Sequence, residues 1–319
     1  MAAVSHEERA VRFASKGLSL AGDLYLPEGA GPHPVVVMAG GWCYVKELVM
    51  PHYARVFVEA GIAALVFDYS CLGASEGAPR QHLDPWSQIE DYRNAISFVR
   101  GLPEIDPDRV GVWGISYSGG HVLVLGALDR RIACIVANIP VIDGWRNMRR
   151  VHGTVGFRRL RAAIEDDRER RYAGEPSGRI AHSAIDHANE LSSWPFPETY
   201  ETFMQLRESE APAHEHWSTI ESTELLLAYD VMPYVGRILD TPTQVIVAEE
   251  DDLTLWDLEI AAYNAIAAAR KELVVLPHTT HMTLYSDRSR LELAANAARD
   301  WLVTHLLRHG TTARGGPGR

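Results

Sequence analysis

The sequence predicts an α/β protein: a mostly parallel central sheet with helices on both faces and one inserted helical segment. Three observations predict it. Short β-branched runs such as Pro34–Ala39 (PVVVMA) show no polar alternation, which marks strands covered on both faces. These runs alternate with stretches whose apolar residues recur at helical spacing, the rhythm of βαβ units. That rhythm stops at about Asp143 and resumes after Asp240, and the segment between is charged, aromatic and helical in pattern.

The elements follow in order. Leu18–Tyr25 reads as a strand closed by Pro27 and Gly29. After the strand at 34–39, Val49, Tyr53, Val56, Phe57 and Ala60 form a helical stripe that Gly61 stops. Ile62–Asp68 is a second buried strand, and Ile89, Tyr92, Ile96 and Val99 mark another helix. Arg109–Gly114 is a strand, His121–Leu128 a helix, and Ile132–Asn138 a strand. Beyond the insertion come a strand at Pro242–Glu249, a helix through Leu255, Leu258, Ala262 and Ile266, and a strand at Leu273–Leu276. A last helix carries Leu291, Ala294, Ala298 and Leu302. The expected organisation is a core at 1–142 and 241–308, a helical cap at 143–240, and a disordered glycine-rich tail at 309–319.

The chain has 319 residues, with 31 basic and 42 acidic side chains and a net charge of −11. That balance argues against nucleic-acid binding, which needs a basic face. No run reaches the ~18 apolar residues that would span a bilayer. The opening MAAVSHEERAVRF lacks the apolar core of a signal peptide. Three cysteines, Cys43, Cys71 and Cys134, are odd in number and lack metal-ligand spacing. The expectation is a cytoplasmic enzyme.

The pattern Gly-x-Ser-x-Gly bends a strand sharply into a helix, so that the serine hydroxyl stands exposed beside a backbone N–H. The literal Gly-x-Ser-x-Gly match, Gly73–Gly77 around Ser75, fails this test, because Pro79 and a polar stretch follow it and no helix starts there. It reads as a glycine-rich loop. Gly114-Ile-Ser-Tyr-Ser-Gly-Gly120 departs from the pattern at Ser118, yet a strand runs into Ser116 and a helix follows at once. Ser116 is therefore the candidate nucleophile; the plainer reading is a helix cap.

A serine needs a base, and the base an orienting carboxylate, in the chain order Ser, acid, His. The strand at Pro242–Glu249 runs into Glu249, Glu250, Asp251 and Asp252, and strand-end position does not choose among the last three. After Leu273–Leu276, His281 lies deep enough in its loop to fold back over the sheet edge, whereas His278 reads as a turn residue. Other histidines, such as His52 and His82, read as surface or packing residues.

With these residues in view, the sequence resembles the α/β-hydrolase superfamily over nearly its whole length. It is most similar to dienelactone-hydrolase-like and fungal polyketide-transferase-like proteins, through MAGGWCYVKE, FDYSCLGASEGAPRQ, WGISYSGGH and HMTLY. The Gly-x-Ser-Tyr-x-Gly spelling resembles the cocaine-esterase and X-prolyl-peptidase group, which places glycine one step later. The resemblance implies an α/β-hydrolase fold with an inserted cap. It also implies Asp251 as the triad acid, through a Glu-x-Asp-x-x-Thr-like segment on Glu249, Asp251 and Thr254, with Asp252 as competitor. It implies an oxyanion hole from the N–H groups of Tyr117 and Trp42, or Cys43. Departures include Ser70-Cys71 where relatives often have Arg-Gly, Cys43 for glycine and Leu255 for proline; the two cysteines could alter the pocket wall.

The expected function is a serine hydrolase that cleaves an ester, thioester or amide through an acyl-enzyme on Ser116, with Asp251 and His281 completing the triad. No metal or cofactor is expected. The alternatives are an acyltransferase with the same triad, a carbon–carbon bond hydrolase, or a catalytically silent binding protein. The cap should build the pocket, with Cys43, Trp145 and Trp217 as candidate wall residues. From Arg146 to Arg171 nine arginines face four acids, a local +5. The plain account is a solvated helix with ion pairs; the sharper one has Arg149 and Arg158 recognising an anionic substrate. The expected partner is a small acyl substrate, with no nucleic acid or membrane, and a homodimer is allowed.

Overall fold

The computed structural model describes residues 6–307; the expected tail at 309–319 lies outside the described residues. Ten strands run in chain order: β1 (His6–Ser15), β2 (Leu18–Pro27), β3 (His33–Ala39), β4 (Ala63–Phe67), β5 (Ile105–Ile115), β6 (Ile132–Asn138), β7 (Arg179–Ala181), β8 (Trp217–Thr219), β9 (Thr243–Ala248) and β10 (Lys271–Leu276). Eight form one sheet in the order β1-β2-β4-β3-β5-β6-β9-β10. From β4 to β10 every neighbouring pair is parallel, while β2 runs antiparallel to both β1 and β4. This is an α/β-hydrolase sheet.

The central strands are apolar throughout because helices cover both faces. Val35 to Ala39 and Ala63 to Phe67 are all buried. The strand β1 escapes the sequence pattern because HEERAVRFAS opens on consecutive charged residues and has no continuous apolar run. It is the sheet's outer strand, paired only with β2, and an antiparallel edge keeps one face in water. Helices start where local chemistry dictates. Asp84 caps the helix Pro85–Arg100 by accepting from Trp86 N at 2.9 Å, with Pro85 as its first residue.

Between β6 and β9, which are neighbours in the sheet, lie five helices and the antiparallel pair β7–β8. The sequence pattern shows no strand here because each of these two is only three residues long. The two ends of this segment are tied together at the sheet edge. Gly144 N donates to Tyr229 O at 2.8 Å and Val231 N to Ile142 O at 2.8 Å. The arginine-rich stretch lies on two of the helices, Gly144–Val151 and Gly153–Tyr172. Much of it is engaged in ion pairs: Arg150 with Asp257, Arg168 with Glu224, and Arg171 with Asp167, Glu221 and Glu224. Among the described residues no helix is long and apolar enough to cross a membrane.

A β-carbon at Gly144 would collide with the carbonyl of Leu226. Gly144→Ala should therefore lower stability by about 1–3 kcal/mol, the usual cost of overpacking. Urea unfolding measures it, and an unchanged midpoint would contradict the close approach.

Candidate active site

Three loops meet beyond the C-terminal ends of the parallel strands, where open α/β sheets bind ligands. Ser116 follows β5 directly and precedes the helix Tyr117–Leu128. Its backbone is left-handed, with φ 59° and ψ −116°. Neighbours fix this conformation. Ser116 N donates to Asn138 O at 2.9 Å, and Ser116 O accepts from Val141 N at 2.9 Å.

The motif's unusual spelling has a packing reason. A β-carbon at Gly119 would sit 2.8 Å from Pro140 Cα and 3.0 Å from Asn138 O, so the helix needs glycine there to lie against the chain after β6. Ser118 is fully buried, but its hydroxyl is satisfied: it donates to the carbonyl of Gly40 and meets Tyr69 Oη at 2.5 Å. Ser75, the literal match, sits in a loop. Its hydroxyl donates to Asp68 O at 2.7 Å and accepts from Ala21 N at 2.8 Å.

The loop after β3 lies against Ser116. A β-carbon at Gly41 would be 2.9 Å from Ser116 Cβ, so only glycine allows the approach. Trp42 follows, buried, with its ring 5.2 Å from that of Tyr117. Ser116, His281, Trp42, His182, Trp194 and Phe203 border one narrow cavity of about 10 Å³, about the size of one water.

After β9, Asp251 is buried while Asp252 points outward. His281 Nδ1 donates to Asp251 Oδ2 at 2.8 Å. Oδ1 accepts from the N–H groups of Leu253 at 2.9 Å and Thr254 at 2.8 Å. Burial alone would raise the Asp251 carboxyl; His281 beside it and the bonds from His281 and Thr254 carry it below its ordinary value. Tyr285 stacks on His281, 5.6 Å between centroids, and fixes the ring's plane. His278 is exposed, and its backbone N–H donates to Glu249 Oε2 at 2.8 Å.

Glu259 is part of this site and carries no sequence signal, because a glutamate on an amphipathic helix reads as surface. It is fully buried. Thr254 Oγ1 lies 2.8 Å from both Asp251 Oδ2 and Glu259 Oε1. One hydroxyl has one proton and cannot donate to two carboxylates. Burial, then the nearby charge of Asp251, push the Glu259 carboxyl well above its ordinary value. The consistent arrangement is a protonated Glu259 that donates to Thr254, which donates to ionised Asp251.

The structure does not bring the remaining candidates to the cavity. Trp145 is 46% exposed and packs edge-on against Phe157. Arg149 donates to Thr154 Oγ1 at 3.1 Å, and Arg158 is exposed. Trp217 lies under Arg179, its ring centroid 3.9 Å from the guanidinium carbon. Cys43 is buried in the loop after β3, where its thiol donates to Trp217 O at 3.3 Å. Cys71 sits in the loop around Ser75, against Gly77. Leu255 has φ 70°, which proline cannot adopt. His182, His214 and His216 carry little sequence signal, the His-x-His spacing at 214–216 being all that marks them locally.

Thr254→Val tests the proton arrangement, since it removes the hydroxyl and leaves two buried carboxyl groups without their shared partner. A loss of roughly 1–3 kcal/mol is expected, whereas Glu259→Gln, which keeps a neutral donor, should stay near wild type in urea unfolding. Strong destabilisation by Glu259→Gln would show that Glu259 is ionised.

Comparison with known proteins places the chain. It is 30% identical over 291 residues to the thiohydrolase aneE of Aspergillus aculeatus, covering 88% of this chain and 86% of the relative. It is 38% identical over 156 residues to the quorum-quenching protein AidA of Acinetobacter baumannii, covering 49% of this chain and 51% of AidA. The crystal structure of the hypothetical protein PA2218 of Pseudomonas aeruginosa superposes with a TM-score of 0.78 at 26% identity, over 95% of each chain. Residues 16–283 match the X-Pro dipeptidyl-peptidase profile, and the chain belongs to that family, S15.

Proposed function

We propose that this serine hydrolase cleaves an acyl thioester or ester through an acyl-enzyme on Ser116. The observation that supports the reading is the convergence of Ser116 and His281 on one cavity, with His281 Nδ1 bonded to Asp251. Asp251 keeps the His281 proton on Nδ1, which leaves the Nε2 lone pair to accept a proton from Ser116 Oγ. The oxygen attacks the acyl carbonyl, and the carbonyl oxygen takes up negative charge that the Tyr117 and Trp42 N–H groups stabilise. His281 then returns the proton to the departing thiol or alcohol as the carbonyl reforms. A water that loses its proton to His281 attacks the acyl-enzyme and frees the acid and Ser116. The segment 143–240 acts as the cap, contributing His182, Trp194 and Phe203 to the cavity wall.

Thioesters come first among the substrates, by analogy with the relative named a thiohydrolase. The cavity wall adds a preference. Four residues that line it carry a buried polar atom without a protein partner: Trp42 Nε1, His182 Nδ1, Trp194 Nε1 and Thr199 Oγ1. The indole N–H groups are donors only, so an acyl group bearing oxygen acceptors suits this wall better than a plain alkyl chain. The three free, buried cysteines fit a cytoplasmic location.

A second reading, transfer of the acyl group to a non-water acceptor, draws support from the narrowness of the cavity, because a site that admits little water prolongs the acyl-enzyme. Measuring products with and without added alcohol or thiol separates the two. Predominant free acid supports hydrolysis, and predominant new ester or thioester supports transfer.

Two variants test the chemistry. Asp251→Asn should lower kcat by about 10⁴-fold with the fold retained, because the amide favours the wrong imidazole tautomer. A β-hydroxyacyl thioester should be turned over with a higher kcat/KM than the alkyl thioester of equal length, and Trp194→Phe should narrow that gap. Equal rates for the two thioesters would contradict the proposed wall chemistry.

A further inference from the structure

The cap and the oxyanion-side loop are joined by a chain of imidazoles. His182 N donates to His216 O at 3.0 Å, which extends the β7–β8 pairing one residue past Ala181↔Trp217. His214 and His216, two residues apart, turn toward the same side. The rings of His182 and His216 lie 4.7 Å apart, and those of His214 and His216 5.4 Å.

Proton positions follow from the fixed donors. His216 Nε2 faces the Ser183 hydroxyl at 2.7 Å and the Ser183 backbone N–H at 3.2 Å; the hydroxyl can take either role but the N–H only donates, so that nitrogen is an acceptor. A neutral His216 then carries its proton on Nδ1, which donates to His214 Nε2 at 3.1 Å. His214 in turn carries its proton on Nδ1, which donates to Cys43 O at 3.1 Å. Burial keeps both rings neutral, pushing His214 down to about 3 and His216 to about 4. Each link has one direction, and the chain ends on the carbonyl of the residue after Trp42. Cys43 is itself left-handed, with φ 59°, and its thiol makes a second bond to the cap at Trp217 O.

We propose that the His216–His214–Cys43 relay is a positioning network, in which the cap strand holds the loop that aims the Trp42 N–H at the oxyanion. This rests on the reading of Trp42 as an oxyanion donor. The three histidines have donor atoms within 4.8 Å of one another, a spacing open to a metal ion. An ion on His216 Nδ1 would put the ring proton on Nε2, where it would donate to the Ser183 hydroxyl at 2.7 Å and leave the Ser183 N–H without its acceptor. The hydrogen-bond directions therefore favour the relay.

The test compares His214→Met, which fills the space without a donor, with His214→Gln, whose amide can both donate and accept. A short acyl thioester gives kcat and KM, and a trifluoromethyl ketone, which forms an oxyanion on serine, gives Ki. His214→Met should lose on the order of 10²-fold in kcat, with KM nearly unchanged and Ki raised in proportion; His214→Gln should recover most of both. His216→Met should show the same pattern more weakly, and it serves if His214→Met does not fold. Wild-type kcat in folded His214→Met, or a kcat loss with unchanged Ki, would overturn the relay. So would loss of wild-type activity on chelation and its return with zinc, which would assign the histidines to a metal. Ser116→Ala runs alongside: activity lost there but retained in His214→Met fails the relay alone, whereas an active Ser116→Ala fails the hydrolase reading itself.

Discussion

The left-handed backbone of Ser116 is the constraint on which the rest of the site depends. A non-glycine residue held at φ 59° and ψ −116° costs of the order of 1–3 kcal/mol and persists only where its surroundings over-determine it. Here they do. Backbone bonds from Asn138 and Val141 grip both sides of the residue, Gly119 lets the following helix close on Pro140, and Ser118 ties that helix to the loop after β3. The same turn sends the serine hydroxyl into the cavity and leaves the Tyr117 N–H at the start of a helix. One strained residue thus sets the positions of the proposed nucleophile and the proposed oxyanion donor together.

Around that residue, burial is handled by moving protons rather than by pairing charges. Asp251 is ionised and saturated with donors, and Glu259 behind it is neutral. His214 and His216 are neutral as well, and the bonds from His216 to His214 and from His214 to Cys43 run in one sense. In a buried site with few charges the electrostatic interactions that remain are stronger. The net charge of −11 is therefore a property of the surface. Part of the local excess of arginine at 146–171 is offset by acids from outside that stretch, Asp257, Glu221 and Glu224. With Arg149 and Arg158 away from the cavity, the structure lends no support to their recognising an anionic substrate.

The sheet was legible because strands covered on both faces need uninterrupted apolar runs, and 34–39, 62–68 and 132–138 have them. The edge strand β1 was not, because its charged face is what an edge in water requires. Ser116 and His281 could be read from their places after strands. Choosing between Asp251 and Asp252 by position alone could not be done, since one residue decides which side chain turns inward. Glu259 and the three cap histidines were illegible for a different reason. Their roles arise from burial and from contacts across long sequence separations, such as His214 with Cys43, and no local pattern encodes either. Trp145 and Trp217 show the converse: aromatic residues in a cap suggested a pocket, and packing against Phe157 and Arg179 accounts for them.

The proposed chemistry rests on Ser116 as the nucleophile. Treating the protein with a fluorophosphonate and mapping the adduct by peptide mass spectrometry tests it directly. A single adduct on the peptide containing Ser116, formed more slowly in Asp251→Asn, is the predicted result. An adduct on Ser75 or on another residue, with Ser116 unmodified, would contradict it.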